Sequence, residues 1–303
     1  MIKVSKVSKS FDGFKALDEL DINVAKGSIY GLVGTNGAGK TTIIKHLTGT
    51  LRADSGSITI ENEDVYDNEE IKRRMGFIPD DLYFFASYNL KEMSGFLKKL
   101  YPRWNQERFE HMCEQFGLNK KNKLARFSKG MQKQAAFILT MSAMPDYLIL
   151  DEPIDGLDPI IRKLVWKYIV TDVAEREMTV LVSSHNLREL EGICDSIGIL
   201  SKGHMMIERD LDELKSDIHK VQVAFPKDLA ETAKDECYAK LNVLHRESRG
   251  TVDLLIVRGK RELVESTINS QNPLIFDLLP LSLEEIFIYE LGGADSEIQG
   301  IVF

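Results

Sequence analysis

Residues 34–42 read Gly34-Thr35-Asn36-Gly37-Ala38-Gly39-Lys40-Thr41-Thr42, which matches the pattern G-x-x-x-x-G-K-[ST]. They follow the apolar stretch 29–33, which predicts a strand, and they lead into the stretch 41–51, whose spacing predicts a helix. In that setting the glycines let consecutive backbone N–H groups turn towards an anion, and the helix adds the positive end of its dipole. The segment therefore predicts a phosphate-binding loop for a nucleoside triphosphate, and this context argues against a plain glycine-rich turn.

The loop supplies a cation and a hydroxyl at the positions where triphosphate chemistry needs them. We expect Lys40 to reach the β- and γ-phosphates of ATP and the hydroxyl of Thr41 to coordinate Mg²⁺. The other loop positions that we expect around the nucleotide are Gly34, Asn36, Gly37, Ala38, Gly39 and Thr42.

The composition limits the class of protein. Of the 303 residues, 43% are apolar and 28% are charged, which fits a globular protein with a large core and room for two domains. No stretch approaches the roughly 18–20 apolar residues of a transmembrane helix, and the first residues lack the apolar core of a secretory signal. Cys113, Cys194 and Cys237 have no metal-like spacing, so we expect reduced cytosolic thiols. The net charge of −8 argues against a nucleic-acid partner.

The sequence pattern of the first half of the chain predicts strands followed by helices. Residues 2–33 alternate apolar and polar positions, as in short strands of a partly antiparallel sheet. Residues 57–60 and 75–78 also predict strands, whereas residues 89–143 show the spacing of helices. We therefore expect a β-rich first part followed by a helical subdomain at about residues 82–143.

Two strands with apolar residues throughout follow at 147–150 and 179–182. Apolar residues at every position are typical of parallel strands that are covered on both faces. Helices predicted at 160–177 and 186–193 alternate with these strands, so the predicted fold class is α/β.

The pattern changes after residue 218, where a small α+β domain is predicted. The order is strand, helix, strand, strand, helix, strand, which makes the domain a candidate for a ferredoxin-like fold. We accordingly expect two domains, residues 1–215 and 218–303, and the alternative for the second is an irregular tail. The strands are predicted at 221–225, 242–245, 252–257 and 274–277, and the helices at 227–239, 260–270 and 282–291.

A second group of polar residues lies far from the loop in sequence. The strand at 147–150 ends in Asp151-Glu152-Pro153, and adjacent strand residues point to opposite faces. Asp151 can therefore hold Mg²⁺ through its water shell while Glu152 polarises the attacking water. His185 follows the strand at 179–182 and could bind the γ-phosphate or orient that water, with a structural histidine as the alternative.

Together these motifs resemble those of the ATP-binding subunits of ABC transporters over about residues 1–215. The resemblance rests on the loop at 34–42, on Asp151-Glu152-Pro153 followed by Gly156-Leu157-Asp158-Pro159, and on His185. It rests also on Phe127-Ser128-Lys129-Gly130-Met131-Gln132, which stands where that family has its LSGGQ-type signature. The fold that the resemblance implies is a P-loop NTPase core with an antiparallel β subdomain and a helical subdomain.

The resemblance also implies a site shared by two ATPase subunits, identical or different, that dimerise head to tail. ATP on the phosphate loop of one subunit would be closed over by Ser128 and Gly130 of the other, and Asp158 would belong to the D-loop that contacts the opposite subunit. Phe11 would be the aromatic residue that stacks on adenine, with a core aromatic as the alternative. The chain would be cytoplasmic and would lie at the inner face of the membrane on a transmembrane permease subunit.

Two places depart from the family pattern. Asp80 follows the strand at 75–78, where most members carry glutamine; it adds negative charge near the γ-phosphate and could contact Mg²⁺ through a water. Lys129 and Met131 replace the glycine and glutamine of the signature, which adds a cation at a helix N-terminus that should bind phosphate. We expect ATP binding to persist, while the effect on the turnover rate stays open.

The leading interpretation is a Mg-dependent ATP-hydrolysing subunit that drives a separate transmembrane subunit. The junction at Asp80, the helical insert and the C-terminal domain resemble those of bacterial exporters. One alternative is a soluble ABC-type ATPase that acts as an assembly or mechanical module. Another is a weakly hydrolysing, nucleotide-gated subunit, which Asp80 and Lys129 suggest.

Overall fold

The computed structural model describes residues 1–226 and 230–290 of the chain. The chain divides into two compact units: the first comprises Met1–His185 and Gly192–Glu208, and the second comprises Asn186–Glu191 and the chain from Arg209 onward. The predicted domain limits of 1–215 and 218–303 stay a prediction, and residues 291–303 lie outside the described parts.

The first unit is built on two β-sheets. Its strands are β1 (Ile2–Phe11), β2 (Phe14–Val24), β3 (Ile29–Val33), β4 (Ser55–Ile60), β5 (Glu63–Asp64), β6 (Met75–Ile78), β7 (Tyr147–Asp151), β8 (Thr179–Ser184), β9 (Ser196–Ser201) and β10 (His204–Asp210). One sheet is antiparallel with the order β2-β1-β4-β5, and the other has the order β10-β9-β3-β8-β7-β6. The pairs from β9 to β6 are parallel, so the predicted α/β core and antiparallel β subdomain are both confirmed.

Strands β3, β7 and β8 form the middle of the parallel sheet and are buried at every position, as their apolar sequences require. The register pairs Asp151, the last residue of β7, with Ser183 of β8, and pairs Val33, the last residue of β3, with Ser184. The carboxyl ends of these three strands therefore meet at one edge of the sheet, and the predicted functional loops leave the sheet there.

Helices follow the strands of the first unit and fill the predicted helical region. They are α1 (Lys40–Leu47), α2 (Glu69–Arg73), α3 (Leu90–Leu100), α4 (Gln106–Gln115), α5 (Lys129–Ser142) and α6 (Pro159–Arg176), with a 3₁₀ turn at Leu124–Arg126. Asn89 and Glu92 form a capping box at the start of α3, and Ser128 caps α5 by accepting a hydrogen bond from the N–H of Met131. The helical spacing predicted at residues 89–143 is confirmed.

Three stretches differ from the sequence prediction. Helix α1 ends at Leu47 instead of residue 51, because Gly49 adopts a left-handed φ of +63° that ends the helix. The helix predicted at 186–193 is wrong: the chain forms only a 3₁₀ turn at Leu187–Glu189, and Gly192 follows in a left-handed conformation. The sequence analysis also fails to predict β9 and β10. In β9, Gly198 weakens the apolar strand pattern, because a side chain there would clash with the hydroxyl of Tyr30.

The second unit contains a four-stranded antiparallel sheet with the ferredoxin-like order of elements. Its elements are α7 (Leu211–Asp217), β11 (Ile218–Ala224), α8 (Glu231–Tyr238), β12 (Asn242–Arg249), β13 (Val252–Arg258), α9 (Arg261–Asn269), β14 (Ile275–Leu279) and α10 (Leu283–Glu290). The strand order is β12-β13-β11-β14, and β11 pairs with both β13 and β14. The predicted succession of strands and helices from residue 218 is confirmed, while the predicted helical residues 227–229 and 291 lie outside the described parts.

The cysteines form no disulfide, and the helices can be compared with the requirements of a membrane span. All three cysteines are buried and free. Burial raises the pKa of the Cys113 thiol to about 12, so this thiol stays protonated near neutral pH. None of the described helices combines the length and the hydropathy that a membrane span requires.

Candidate functional site

The loop between β3 and α1 has the backbone of a phosphate cradle. Gly37 and Gly39 have φ angles of +84° and +111°, which L side chains rarely adopt. A Cβ atom on Gly34 would lie 2.5 Å from the carbonyl oxygen of Leu200, so only glycine fits at that position. Because Gly39 is the N-cap residue of α1, the first backbone N–H groups of this helix are directed into the loop.

Lys40 is buried although it carries a charge, with 6% of its surface exposed. Its Nζ donates hydrogen bonds to the carbonyl oxygens of Gly34 at 2.6 Å and Thr35 at 3.3 Å. The same Nζ lies 3.4 Å from Oε1 of Glu152. The ammonium group is thus held inside the loop by weakly competing oxygens, where a phosphate oxygen could replace them.

Asp151 receives a hydroxyl hydrogen bond on each carboxylate oxygen. Thr41 donates from Oγ1 to Oδ2 of Asp151 at 2.9 Å, and Ser183 donates from Oγ to Oδ1 at 2.6 Å. The Thr41 hydroxyl and the Asp151 carboxylate are hard oxygen ligands, so this donor set fits Mg²⁺. No cluster of three or more His, Cys, Asp or Glu side chains able to hold a metal exists in the described residues, so phosphate oxygens and waters would complete the coordination.

Glu152 is held on both sides of its backbone and at its carboxylate. Its φ of +47° is left-handed, a conformation that costs about 1–3 kcal/mol for a residue other than glycine and that collects at functional sites. Its N–H donates to Oγ of Ser183 at 3.1 Å. Its Oε2 lies 2.9 Å from Nδ1 of His185 and accepts a hydrogen bond from the His185 N–H at 3.3 Å. The structure thus brings together five predicted residues, Lys40, Thr41, Asp151, Glu152 and His185, which we call the carboxylate cluster.

A cavity of about 340 Å³ lies against the carboxylate cluster and the phosphate loop. Phe11 and Asp80, two predicted site residues, line it together with loop residues and four members of the cluster, all except His185. Phe11 has 43% of its surface exposed, so it is not a core aromatic. Sequence reasoning missed the neighbouring Phe14, which is also exposed and lines the cavity. Its position directly after Asp12-Gly13, a dipeptide typical of a hairpin turn, and close to Phe11 was the available signal.

We use the name signature residues for Ser128 and Gly130 of the signature motif together with Asp158, which lies outside that motif. All three are absent from the described lining of this cavity. Ser128 and Asp158 are the N-cap residues of α5 and α6, and Asp158 accepts hydrogen bonds from the N–H groups of Ile160 and Ile161. Gly130 lies close to the carbonyl oxygen of Gly156, where a Cβ atom would stand at 3.3 Å. Within one chain, the signature residues therefore do not line the cavity that the carboxylate cluster lines.

Asp80 has a partner that sequence reasoning missed. Nζ of Lys133, on α5, lies 3.1 Å from Oδ1 of Asp80 and donates to the carbonyl oxygen of Glu152 at 2.8 Å. The side chain of Lys133 is mostly buried, whereas that of Asp80 is more than half exposed. The negative charge that Asp80 brings to the cavity is therefore compensated within the chain.

The fold and this site define an ATP-binding cassette, and comparison with known proteins agrees. The chain belongs to the family of ABC transporter ATP-binding subunits, and the ABC transporter family model matches residues 17–155. It is similar to the ABC transporter ATP-binding protein YtrB of Bacillus subtilis (strain 168), with 30% identity over 293 residues, 97% of this chain and 99% of YtrB. The chain is thus an ABC-type ATPase, and the predicted family is confirmed.

Two further comparisons each cover about seven-tenths of the chain. The bacitracin transport ATP-binding protein BcrA of Bacillus licheniformis is 36% identical over 218 residues, 71% of each chain. A solved structure of an ATP-binding subunit of an ABC transporter superposes with a TM-score of 0.66 at 27% identity. That superposition covers 71% of this chain and 92% of the solved one.

Proposed function

We propose that this chain is the Mg²⁺-dependent, ATP-hydrolysing subunit of an exporter, with Glu152 as the general base. The observation that carries the proposal is the carboxylate cluster at the edge of the parallel sheet. Its Asp151 and Glu152 come from adjacent positions and face different partners: Asp151 the hydroxyls of Thr41 and Ser183, Glu152 the ring of His185. Two carboxylates in different surroundings can take different roles in one reaction.

Each residue of the cluster has a proposed role. Lys40 exchanges its contacts with the Gly34 and Thr35 carbonyl oxygens for the β- and γ-phosphates, and Thr41 and Asp151 hold Mg²⁺. When bound, Mg²⁺ neutralises charge that develops on the phosphate oxygens. Glu152 accepts a proton from the attacking water, and His185 orients the Glu152 carboxylate through its Nδ1. Asp80 contacts the ion through a water.

The remaining loop residues form the nucleotide contacts. Backbone N–H groups of the loop surround the phosphates, and its glycines allow that approach. Phe11 stacks on the adenine ring from its exposed position at the cavity. The other residues of this nucleotide contact are Gly34, Asn36, Gly37, Ala38, Gly39 and Thr42.

The signature residues act across a dimer of two such ATPase subunits, identical or different. Support comes from their separation from the cavity: Ser128 and Asp158 stand at helix N-termini, where backbone N–H groups can bind an anion. In the dimer, Ser128 and Gly130 of one subunit close over ATP on the phosphate loop of the other. The composite site then requires two chains for turnover.

A transmembrane permease subunit is the proposed mechanical partner. The names of YtrB and BcrA describe ATP-binding proteins of transport systems, and that of BcrA specifies bacitracin transport. We place this chain in the cytoplasm, on the inner face of the membrane through that permease, and assign it to export. The soluble assembly ATPase has no comparable support from these relatives.

Affinity purification of the Glu152→Gln variant with ATP and Mg²⁺ tests the membrane partner, since that variant is expected to bind ATP without hydrolysing it. Detergent-solubilised membranes are the source, and Lys40→Ala is the matched control that should not hold ATP. The expected result is co-purification of one integral membrane protein that is enriched with Glu152→Gln over the control. Recovery of soluble partners alone would contradict the transport role.

A further inference from the structure

We infer that Lys133 is a positioning residue for ATP hydrolysis, which holds the Glu152 backbone and the Asp80 carboxylate with one ammonium group. This inference rests on the proposed function of Glu152 as the base. The described contacts of the Lys133 ammonium group are with Glu152 and Asp80, and none is with the phosphate loop. The Nζ atom lies 2.8 Å from the carbonyl oxygen of Glu152 and 3.1 Å from Oδ1 of Asp80. It acts on the reaction through the residue that it holds.

The first step of the argument concerns the Glu152 backbone. Ser183 accepts from the Glu152 N–H at 3.1 Å, and Lys133 donates to the Glu152 carbonyl oxygen at 2.8 Å. These two contacts fix both peptide groups next to a residue that has a left-handed φ of +47°. Because the peptide groups set the direction of the Cα–Cβ bond, they also set where the carboxylate points. A displacement of about 1 Å in such a group can lower turnover about 100-fold.

The second step concerns charge. Only 12% of the Lys133 side chain is exposed, so its ammonium group needs a counter-ion as well as a carbonyl oxygen. Asp80 is that counter-ion, at the end of β6. This assignment gives Asp80 a function that a glutamine, which is neutral, would not fulfil in the same way. The departure at Asp80 and the position of Lys133 are therefore explained together.

The third step concerns the helix that carries Lys133. Helix α5 begins at Lys129, directly after Ser128, so Lys133 lies about one turn into the helix that the signature residues Ser128 and Gly130 begin. A movement of the start of α5 would be transmitted through Lys133 to the Glu152 carbonyl oxygen. Through this contact, the position of the start of α5 influences the direction in which the Glu152 carboxylate points.

Lys133→Met tests the inference, because methionine keeps much of the length and removes the charge. We expect turnover to fall about 30-fold, in line with a misdirected base. ATP affinity should fall by much less, through the uncompensated charge of Asp80, and the melting temperature should stay close to that of the wild type. Lys133→Arg should restore most of the activity, since guanidinium can bind a carbonyl and a carboxylate at once. Lys167→Met, an exposed lysine on α6, is the matched control and should behave as the wild type.

A double-mutant cycle separates positioning from a general loss of charge. Asp80→Asn should lower turnover severalfold, and the combined loss in Asp80→Asn with Lys133→Met should be smaller than the product of the two single losses. A crystal structure of nucleotide-free Lys133→Met gives a readout independent of activity: the Glu152 carbonyl should turn away and its φ should become negative.

The outcomes distinguish this inference from the proposed function. Wild-type turnover in Lys133→Met, beside an inactive Glu152→Gln, would overturn the role of Lys133 and leave Glu152 as the base. A loss of ATP affinity in Lys133→Met as large as the loss of turnover would also overturn it. Equal turnover of wild type and Glu152→Gln would instead overturn the proposed base, and the inference with it.

Discussion

The carboxylate cluster and the signature residues use their polar groups in opposite ways. In the carboxylate cluster, side chains contact one another: Thr41 donates to Asp151, and Glu152 lies against His185 and Lys40. Among the signature residues, the side chains of Ser128 and Asp158 accept hydrogen bonds from their own helices and do not meet each other in the described contacts.

This difference shows which part of the site one chain can organise. The carboxylate cluster is preorganised before any nucleotide arrives, because its members are held by three neighbouring strand ends. The signature residues present capped helix ends, which bind an anion only when another surface brings it to them. Variants of the cluster should therefore affect both nucleotide binding and turnover, whereas signature variants should affect turnover by the assembled site without changing nucleotide affinity.

The largest expected effect is that of Glu152→Gln. Turnover should fall about 1,000-fold, because a neutral amide cannot accept the proton of the attacking water. Equilibrium binding of ATP should be retained, since Lys40 and the loop are untouched. Steady-state phosphate release and a nucleotide-binding titration measure the two quantities. Glu175→Gln, at an exposed position on α6, is the control, and full activity of Glu152→Gln would remove Glu152 as the base.

Lys40→Ala should have the next largest effect. Loss of a charge-assisted contact to two phosphates should weaken ATP binding about 100-fold. Isothermal titration with ATP and Mg²⁺ measures the affinity, and Lys45→Ala on the exposed face of the same helix controls for helix stability. Unchanged affinity in Lys40→Ala would show that the phosphate loop is misassigned.

Ser128→Ala should have a smaller effect and one restricted to the assembled site. Removal of this N-cap should lower the free energy of unfolding by about 1 kcal/mol, as should removal of the Asn105 cap of α4 in Asn105→Ala. Only Ser128→Ala should also lower turnover, about tenfold, while ATP affinity stays constant. Equal turnover in the two variants would leave Ser128 with a capping role alone.

Phe11→Ala should have the smallest effect. Loss of one aromatic contact with adenine is worth about 1 kcal/mol, so ATP affinity should weaken about fivefold. Phe14→Ala is the matched variant, because Phe14 faces the same cavity from the partner position in the β1–β2 pairing. A larger effect at Phe14 would transfer the stacking role to that residue.

The sequence was sufficient for the parts of the site in which one motif determines one geometry. The phosphate loop needs glycine at fixed positions. A buried apolar strand that is followed by two carboxylates must lie inside the parallel sheet, which places Asp151 and Glu152 at the edge of that sheet. Ser183 and Lys133 were not predictable in this way. A serine within a strand and a lysine within a helix are ordinary residues there, and only the three-dimensional register brings them to Asp151 and Glu152.

Errors in the fold prediction have a similar origin. The apolar residues of 186–193 have helical spacing, yet Gly192 is left-handed and the chain makes a single 3₁₀ turn. Strand β9 is buried in the parallel sheet beside β3, but Gly198 weakens its strand pattern. In the first stretch the left-handed φ of Gly192 is incompatible with a continuing helix, and in the second the close approach of Tyr30 requires glycine at position 198.

At Glu152, the left-handed backbone conformation favours a residue without a Cβ atom, whereas the proposed chemistry requires a carboxylate. Glycine there would relieve about 1 kcal/mol of backbone strain that alanine would keep, so Glu152→Gly should resist denaturant better than Glu152→Ala. Both variants would lack the carboxylate. The proposed base is therefore carried on a backbone conformation that a residue without a Cβ atom would adopt more easily.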